Sequence, residues 1–114
     1  MTVTPEDPIG FVIVDVARQM RRHYERRLEA AGLGLTVAEA RTLAFTARRP
    51  GLRQAALAEE LCVEPMTLVG FLDRLEGQGL IERVPDPTDR RAKLIRPTAA
   101  ATPLVRRIKA VGKS

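Results

Sequence analysis

The chain carries one cysteine and one histidine in 114 residues. A single thiol forms no internal disulfide, which excludes a stapled secreted scaffold. One thiol and one imidazole cannot assemble a zinc finger or any other His/Cys metal cluster. Tryptophan is absent, and three phenylalanines and one tyrosine are the only aromatics. No apolar run approaches the roughly 20 residues that span a bilayer. The first seven residues, Met1 to Asp7, lack the basic start and apolar stretch of a signal peptide. Nor is there a glycine-rich phosphate loop, a serine or cysteine nucleophile with a nearby base, or a carboxylate pair flanking a cleft. The inventory predicts no enzyme, no cofactor, no metal and no membrane partner, in a reducing, cytoplasmic setting.

What the chain has is enough apolar surface for one core, at 45% of its residues, in a length typical of one domain. It also has 19 basic against 14 acidic side chains. That excess points to a polyanion, nucleic acid first and an acidic membrane surface second. The charge is uneven. Residues 1–31 hold five acids and five bases, residues 32–79 six acids and five bases, and residues 80–114 three acids and nine bases. A basic stretch alone can be no more than a solvated face. Its neighbours decide.

Asp7 and Pro8 form an N-cap and first-turn pair for a long helix over residues 9–31. Ile9, Ile13, Val16, Met20, Tyr24 and Leu28 recur on its one face, and Gly32 stops it. Thr36 and Glu39 form a capping box for a second helix with Val37, Ala40, Leu43, Ala44 and Ala47, closing at Arg49 to Gly51. A third helix is expected over 53–61 with Ala56, Leu57 and Leu61 inward. After the turn Cys62 to Glu64, a fourth begins at Pro65, carries Leu68, Leu72 and Leu75, and ends at Gly77 and Gly79. Two helices joined by three residues are the skeleton of a helix-turn-helix. The period then changes. Residues 80–84 and 93–96 read as short strands, and Pro85 to Ala92 as the tip, with both prolines in the tip rather than the strands. Thr98 is the expected cap of a last helix with Leu104, Val105, Ile108 and Val111, and Pro103 falls in its first turns. The predicted fold is mainly α with a small β-hairpin wing, a winged helix-turn-helix.

The stretch from Gly51 to Thr98 resembles the MarR family of bacterial transcriptional regulators. The resemblance rests on Gln54–Leu61, Val63–Val69, Leu72–Glu76, Gly79–Arg83, Pro85–Arg91 and the closing Pro97 and Thr98, with Gly34–Thr36 ahead of the second helix. It implies a homodimer on a pseudo-palindromic DNA operator, usually a repressor, often released by a small phenolic or lipophilic effector. On that footing residues 1–31 are an N-terminal dimerisation helix, 32–98 the DNA-binding domain and 99–114 the start of a C-terminal dimerisation helix, within one compact domain. The implied interface residues are Ile9, Ile13, Val16, Met20, Leu104 and Ile108. Three departures stand out. Gly70 sits where members often have arginine. Arg53 replaces a small polar cap. The chain stops at Ser114, where members usually continue helix 5 and add a sixth, so a weakened dimer is expected.

In a helix-turn-helix the second helix lies in the major groove with its first turns nearest the base edges. Glu64, Pro65, Met66, Thr67, Val69 and Gly70 are therefore the candidates there. Thr67 offers a hydroxyl, and Met66 and Val69 can meet thymine methyls or else belong to the core. Glu64, a like charge to phosphate, also suits a helix cap. Arg74, further along, can touch phosphate or pair with Asp73 or Glu76. At the tip, Arg91 is expected in the minor groove with Asp89 holding its guanidinium, while Arg90 and Lys93 neutralise phosphates. Cys62 is expected to be a packed, inert thiol, Phe71 to pack under the wing, and His23 to lie at a surface or interface. The competing reading is a winged-helix interaction module whose basic hairpin binds an acidic protein. Few aromatics and a groove-facing helix of small and methyl-contacting residues favour DNA.

Overall fold

The computed structural model describes residues 8–113. Its elements in order are α1 (Pro8–Ala31), α2 (Val37–Arg48), β1 (Leu52–Arg53), α3 (Gln54–Leu61), α4 (Pro65–Gly77), β2 (Ile81–Asp86), β3 (Asp89–Pro97) and α5 (Ala101–Lys113). Five helices surround a three-stranded antiparallel sheet of order β1-β3-β2. The expected cap Asp7 lies outside the described residues.

The core forms where the helical stripes meet the sheet. Leu43, Leu57, Leu61, Leu68, Leu72, Leu75, Ile81 and Ile95 are all but completely buried. Each such side chain is worth about 1.5–3 kcal/mol of transfer free energy. The capping box of α2 is complete, with the Glu39 amide donating to Thr36 Oγ1 at 3.1 Å and the Thr36 amide donating to Glu39 Oε1 at 3.0 Å. Thr42 and Thr46 are buried beside Leu43. Their hydroxyls donate to the carbonyls of Ala38 and Thr42, each at 2.8 Å, so neither hydroxyl is orphaned.

Several local expectations are corrected. The wing hairpin is longer and tighter than the proline spacing suggests: Pro85 lies within β2 opposite Lys93, and only Pro87 and Thr88 form the turn. Asp86 pairs with Asp89, so Arg90, Arg91 and Ala92 lie opposite no residue of β2. Thr98 does not cap α5 with its side chain; its hydroxyl donates to the Gly79 carbonyl at 2.6 Å. Cys62 is exposed rather than packed. It closes α3 in the left-handed region, at φ 55°. β1 was not anticipated, since two residues carry no periodicity. Leu52 and Arg53 pair with Ile95 and Leu94.

On α1 only Leu28 and the Gly10 backbone are buried, and a guanidinium nitrogen of Arg107 ties α5 to the Ala31 carbonyl. Ile9, Ile13, Val16 and Met20 remain 48% to 67% exposed, and Phe11, Val12 and Val14 widen the apolar surface. Ile108, expected at an interface, is 3% exposed and belongs to the protomer's own core. Leu104 is half-buried against that core. The reason is registry: Ala101, Val105 and Ile108 share the inward face of α5. Among the described residues no helix is long and apolar enough to cross a membrane, and no group of three or more His, Cys, Asp or Glu side chains is placed to hold a metal ion.

Gly70 interrupts α4 at an interior position with ordinary backbone angles. A Cβ there would meet only Arg74 Nη1, at 3.7 Å. Gly70→Ala is therefore expected to stabilise the fold by about 0.5–1 kcal/mol, raising the thermal midpoint by about 2–6 °C. An unchanged or lower midpoint in circular dichroism would show that the backbone needs glycine there.

Candidate nucleic-acid interface

The helix expected to face the groove, α4, is set by its start. Glu64 occupies the N-cap, and its carboxylate accepts from the Thr67 amide at 3.2 Å and lies 3.5 Å from the Thr67 hydroxyl. Pro65 follows at the first helical position, where no amide needs an acceptor. Glu64 thus works as a cap. Leu68, Leu72 and Leu75 turn inward, so Met66 and Gly70, one turn apart, lie along the opposite side. Met66 is 71% exposed. Thr67 is exposed, and Val69, Gly70 and Phe71 are half-buried.

Arg74 pairs with neither Asp73 nor Glu76. Residues one or two apart on a helix do not face each other. Its Nε instead donates to Glu39 at the start of α2, while its guanidinium lies over the Phe71 ring, 5.6 Å from the centroid. Burial is the largest single influence on Glu39 and opposes its ionisation. The Thr36 amide, the Arg74 guanidinium and the Thr36 side chain together outweigh it and hold the carboxyl below its ordinary range. Asp73 and Glu76 serve Arg83 of β2. Its Nη2 lies 2.8 Å from Asp73 Oδ1 and 3.4 Å from the Val69 carbonyl, and its Nη1 lies 3.5 Å from Glu76. The wing is thereby fastened to the middle of α4.

A second fastening holds the base of the tip. Asp86 accepts from the Thr88 amide and hydroxyl, each at 2.8 Å, and from Arg53 Nε at 2.7 Å. The Arg53 side chain, which has no acceptor to cap α3, thus ties the start of that helix to the wing. Asp89 does not hold the Arg91 guanidinium as expected; it accepts from the Arg91 backbone amide at 3.1 Å and shapes the turn. Arg90, Arg91 and Lys93 are exposed. Among the described residues none of the three has a carboxylate partner. The structure therefore shows two features, an uncharged α4 face from Pro65 to Gly70 and exposed cations on the hairpin, on elements that Arg83 ties together. Glu39 and Arg53 were read from sequence only in connection with helix caps, and no orienting role was assigned to them, to Arg83 or to Asp86.

A cleft of about 560 Å³ opens between the last turns of α1 and the start of α2. Leu28, Leu35 and Val37 give it apolar walls, and the carboxylates of Glu25, Glu29 and Glu39 line it as well. No carboxylates around a cleft were expected. No histidine or cysteine joins them.

The Asp86 cluster has a defined pH signature. Thr88, first through its amide and then its hydroxyl, pulls the Asp86 pKa from 3.8 down to about 2, with Arg53 adding to the effect against partial desolvation. A carboxyl depressed on folding stabilises the fold above its unfolded pKa and loses that contribution as pH falls through the folded value. The thermal midpoint of the wild type should therefore exceed that of Asp86→Asn at neutral pH, with the gap closing between about pH 4 and pH 2. A gap independent of pH would show that Asp86 does not act through its charge.

Comparison with known proteins agrees with this geometry. The family model for the MarR family matches residues 35–93. Among solved structures, a mutant MarR from E. coli complexed with operator DNA superposes with a TM-score of 0.83 at 26% identity, the match covering 91% of this chain and 73% of that one. A MarR-family transcriptional regulator from Rhodococcus sp. RHA1 gives 0.81 at 29% identity, covering 96% and 78%. CouR from Rhodococcus jostii RHA1, bound to p-coumaroyl-CoA, gives 0.78 at 30% identity, covering 96% and 76%. Matched over more than half its length by the family model, the chain belongs to the MarR family of transcription regulators.

Proposed function

We propose that the protein is a non-enzymatic, sequence-specific DNA-binding repressor, acting in the cytoplasm as a homodimer on a pseudo-palindromic operator. The observation that carries the reading is the pairing of an uncharged α4 face with the unpartnered cations Arg90, Arg91 and Lys93, held in fixed relation by Arg83. Cations without internal partners are what phosphate binding requires. Pro65, Met66, Thr67, Val69 and Gly70 meet the major groove, Arg91 enters the minor groove, and Arg90 and Lys93 neutralise phosphates. Arg74 reaches the backbone with the guanidinium nitrogens that Glu39 leaves free. Operator DNA in the E. coli MarR complex supports this assignment by kinship.

The homodimer is built on α1, where Ile9, Ile13, Val16 and Met20 expose an apolar face without a partner in the protomer. With Ile108 and Val105 inside the core, α5 adds only Leu104 at its flank, so the dimer is concentration-dependent. The cleft is the effector site. Its size suits a small molecule, Leu28, Leu35 and Val37 can take an apolar or phenolic body, and Glu39 connects it to Arg74 on the DNA-facing helix. The CouR complex with p-coumaroyl-CoA shows that a relative holds an aromatic acyl thioester.

Two measurements test the reading. In anisotropy titrations on a selected operator, Arg91→Ala should reduce the slope of log K against log[salt] by about 0.9 for each half-site. Arg83→Ala, whose guanidinium is occupied internally, should lower the thermal midpoint and leave the slope alone. Equal slopes for wild type and Arg91→Ala would remove Arg91 from the contact. Sedimentation velocity should show a dimer that dissociates on dilution from micromolar to nanomolar, and Ile13→Glu should be monomeric throughout. A single dimer boundary for that variant would place the seam elsewhere than α1.

A further inference from the structure

Among the described residues, seven of the eight large apolar side chains left exposed belong to α1; the eighth is Met66, alone on α4. Nothing in the protomer uses it. The residues around it are equally telling. Bases are read by hydrogen bonding through Arg, Lys, Asn, Gln, Asp, Glu, Ser or Thr, and of these α4 has only Thr67 from Pro65 to Leu72, its hydroxyl 3.5 Å from the Glu64 carboxylate. The nearest carboxylate, Glu64, is engaged by Thr67. The nearest guanidinium, Arg74, is tethered through Nε to Glu39. One turn beyond Met66 on the same side stands Gly70, with no side chain at all.

The apolar group that a base pair presents in the major groove is the thymine methyl. Methionine is unbranched and polarisable, and it moulds to such a contact. A glycine behind it lets the helix backbone approach the base edges. We propose that Met66 is the specificity-determining side chain of this protein and reads thymine methyls, with Gly70 providing the close approach, so that each half-site carries thymine beneath the first two turns of α4. The inference rests on the DNA-binding reading above and goes beyond it by naming the base and the chemical group read.

Deoxyuridine supplies the test, because it lacks the methyl while keeping the same hydrogen-bonding edges in both grooves. Duplexes are selected from a random library with the whole chain. Each thymine of the selected half-site is then replaced by deoxyuridine, and affinity is followed by anisotropy. Thymine should recur beneath α4, and removing one contacted methyl should weaken binding about fourfold. Met66→Ala, a change at an exposed site, should bind the thymine and uracil operators alike. Uracil operators bound as tightly as thymine ones, or selected half-sites without thymine, overturn the methyl reading while DNA binding stands. Persistent thymine preference in Met66→Ala overturns the assignment to that residue. Failure to select any sequence overturns the DNA reading itself.

Discussion

The α4 face and the wing can serve the proposed DNA contact only if they keep their spacing, and one arginine bridges them. Arg83 reaches from β2 to two carboxylates and a carbonyl on α4. Its side chain is largely shielded while Asp73 and Glu76 are open to water, so the bracket runs from the packed side of β2 to the open face of α4. Leu68, Leu72 and Leu75 fix the helix to the core, and Arg83 fixes the hairpin to the helix. The Asp86 cluster repeats the device further out, joining the tip to the start of α3. Each tie lies a little nearer the end of the arm, and beyond the last Arg90 and Arg91 have no carboxylate partner among the described residues.

Charge is thus sorted by role along the chain. Arg49, Arg53, Arg74 and Arg83 all have carboxylate partners drawn from other elements. They align secondary structure and contribute little free charge. Arg90, Arg91 and Lys93 do the reverse. A net charge of +5 therefore understates how concentrated the field is at the wing, where it can steer a polyanion. The Glu39–Arg74 pair has a further property. It joins the mouth of the cleft to α4, so anything that moves the start of α2 also bears on that helix.

Most of the fold was legible because the signals were local. The Thr36 and Glu39 capping box, the leucine stripe of α4 and the glycines that end helices act over three or four residues, and the structure shows each of them. What could not be read needed a partner far along the chain. Arg53 meets Asp86 across 33 residues and Arg74 meets Glu39 across 35, and no spacing rule anticipates such pairs. The remaining misreadings chose the wrong donor or face. Asp89 was assigned a guanidinium and took a backbone amide, Thr98 was assigned a helix end and took the Gly79 carbonyl, and Ile108 was assigned outward and faces inward. Cys62 was assigned to packing by its hydrophobicity, whereas the chain needed a left-handed residue there to close α3. At the site, the residue types were readable, but the ties that orient them were not.

The order β1-β3-β2 leaves β2 as an open margin of the sheet. An arm that projects toward DNA risks recruiting strands from neighbouring molecules through its bare backbone groups. Pro85 removes a donor from that margin, the register breaks beside it, and Glu82 is a charged neighbour. β1 covers only two residues of the other side of β3. The proline that looked like part of a turn therefore serves colloidal stability: it lets the hairpin extend into solvent without becoming a template for polymerisation.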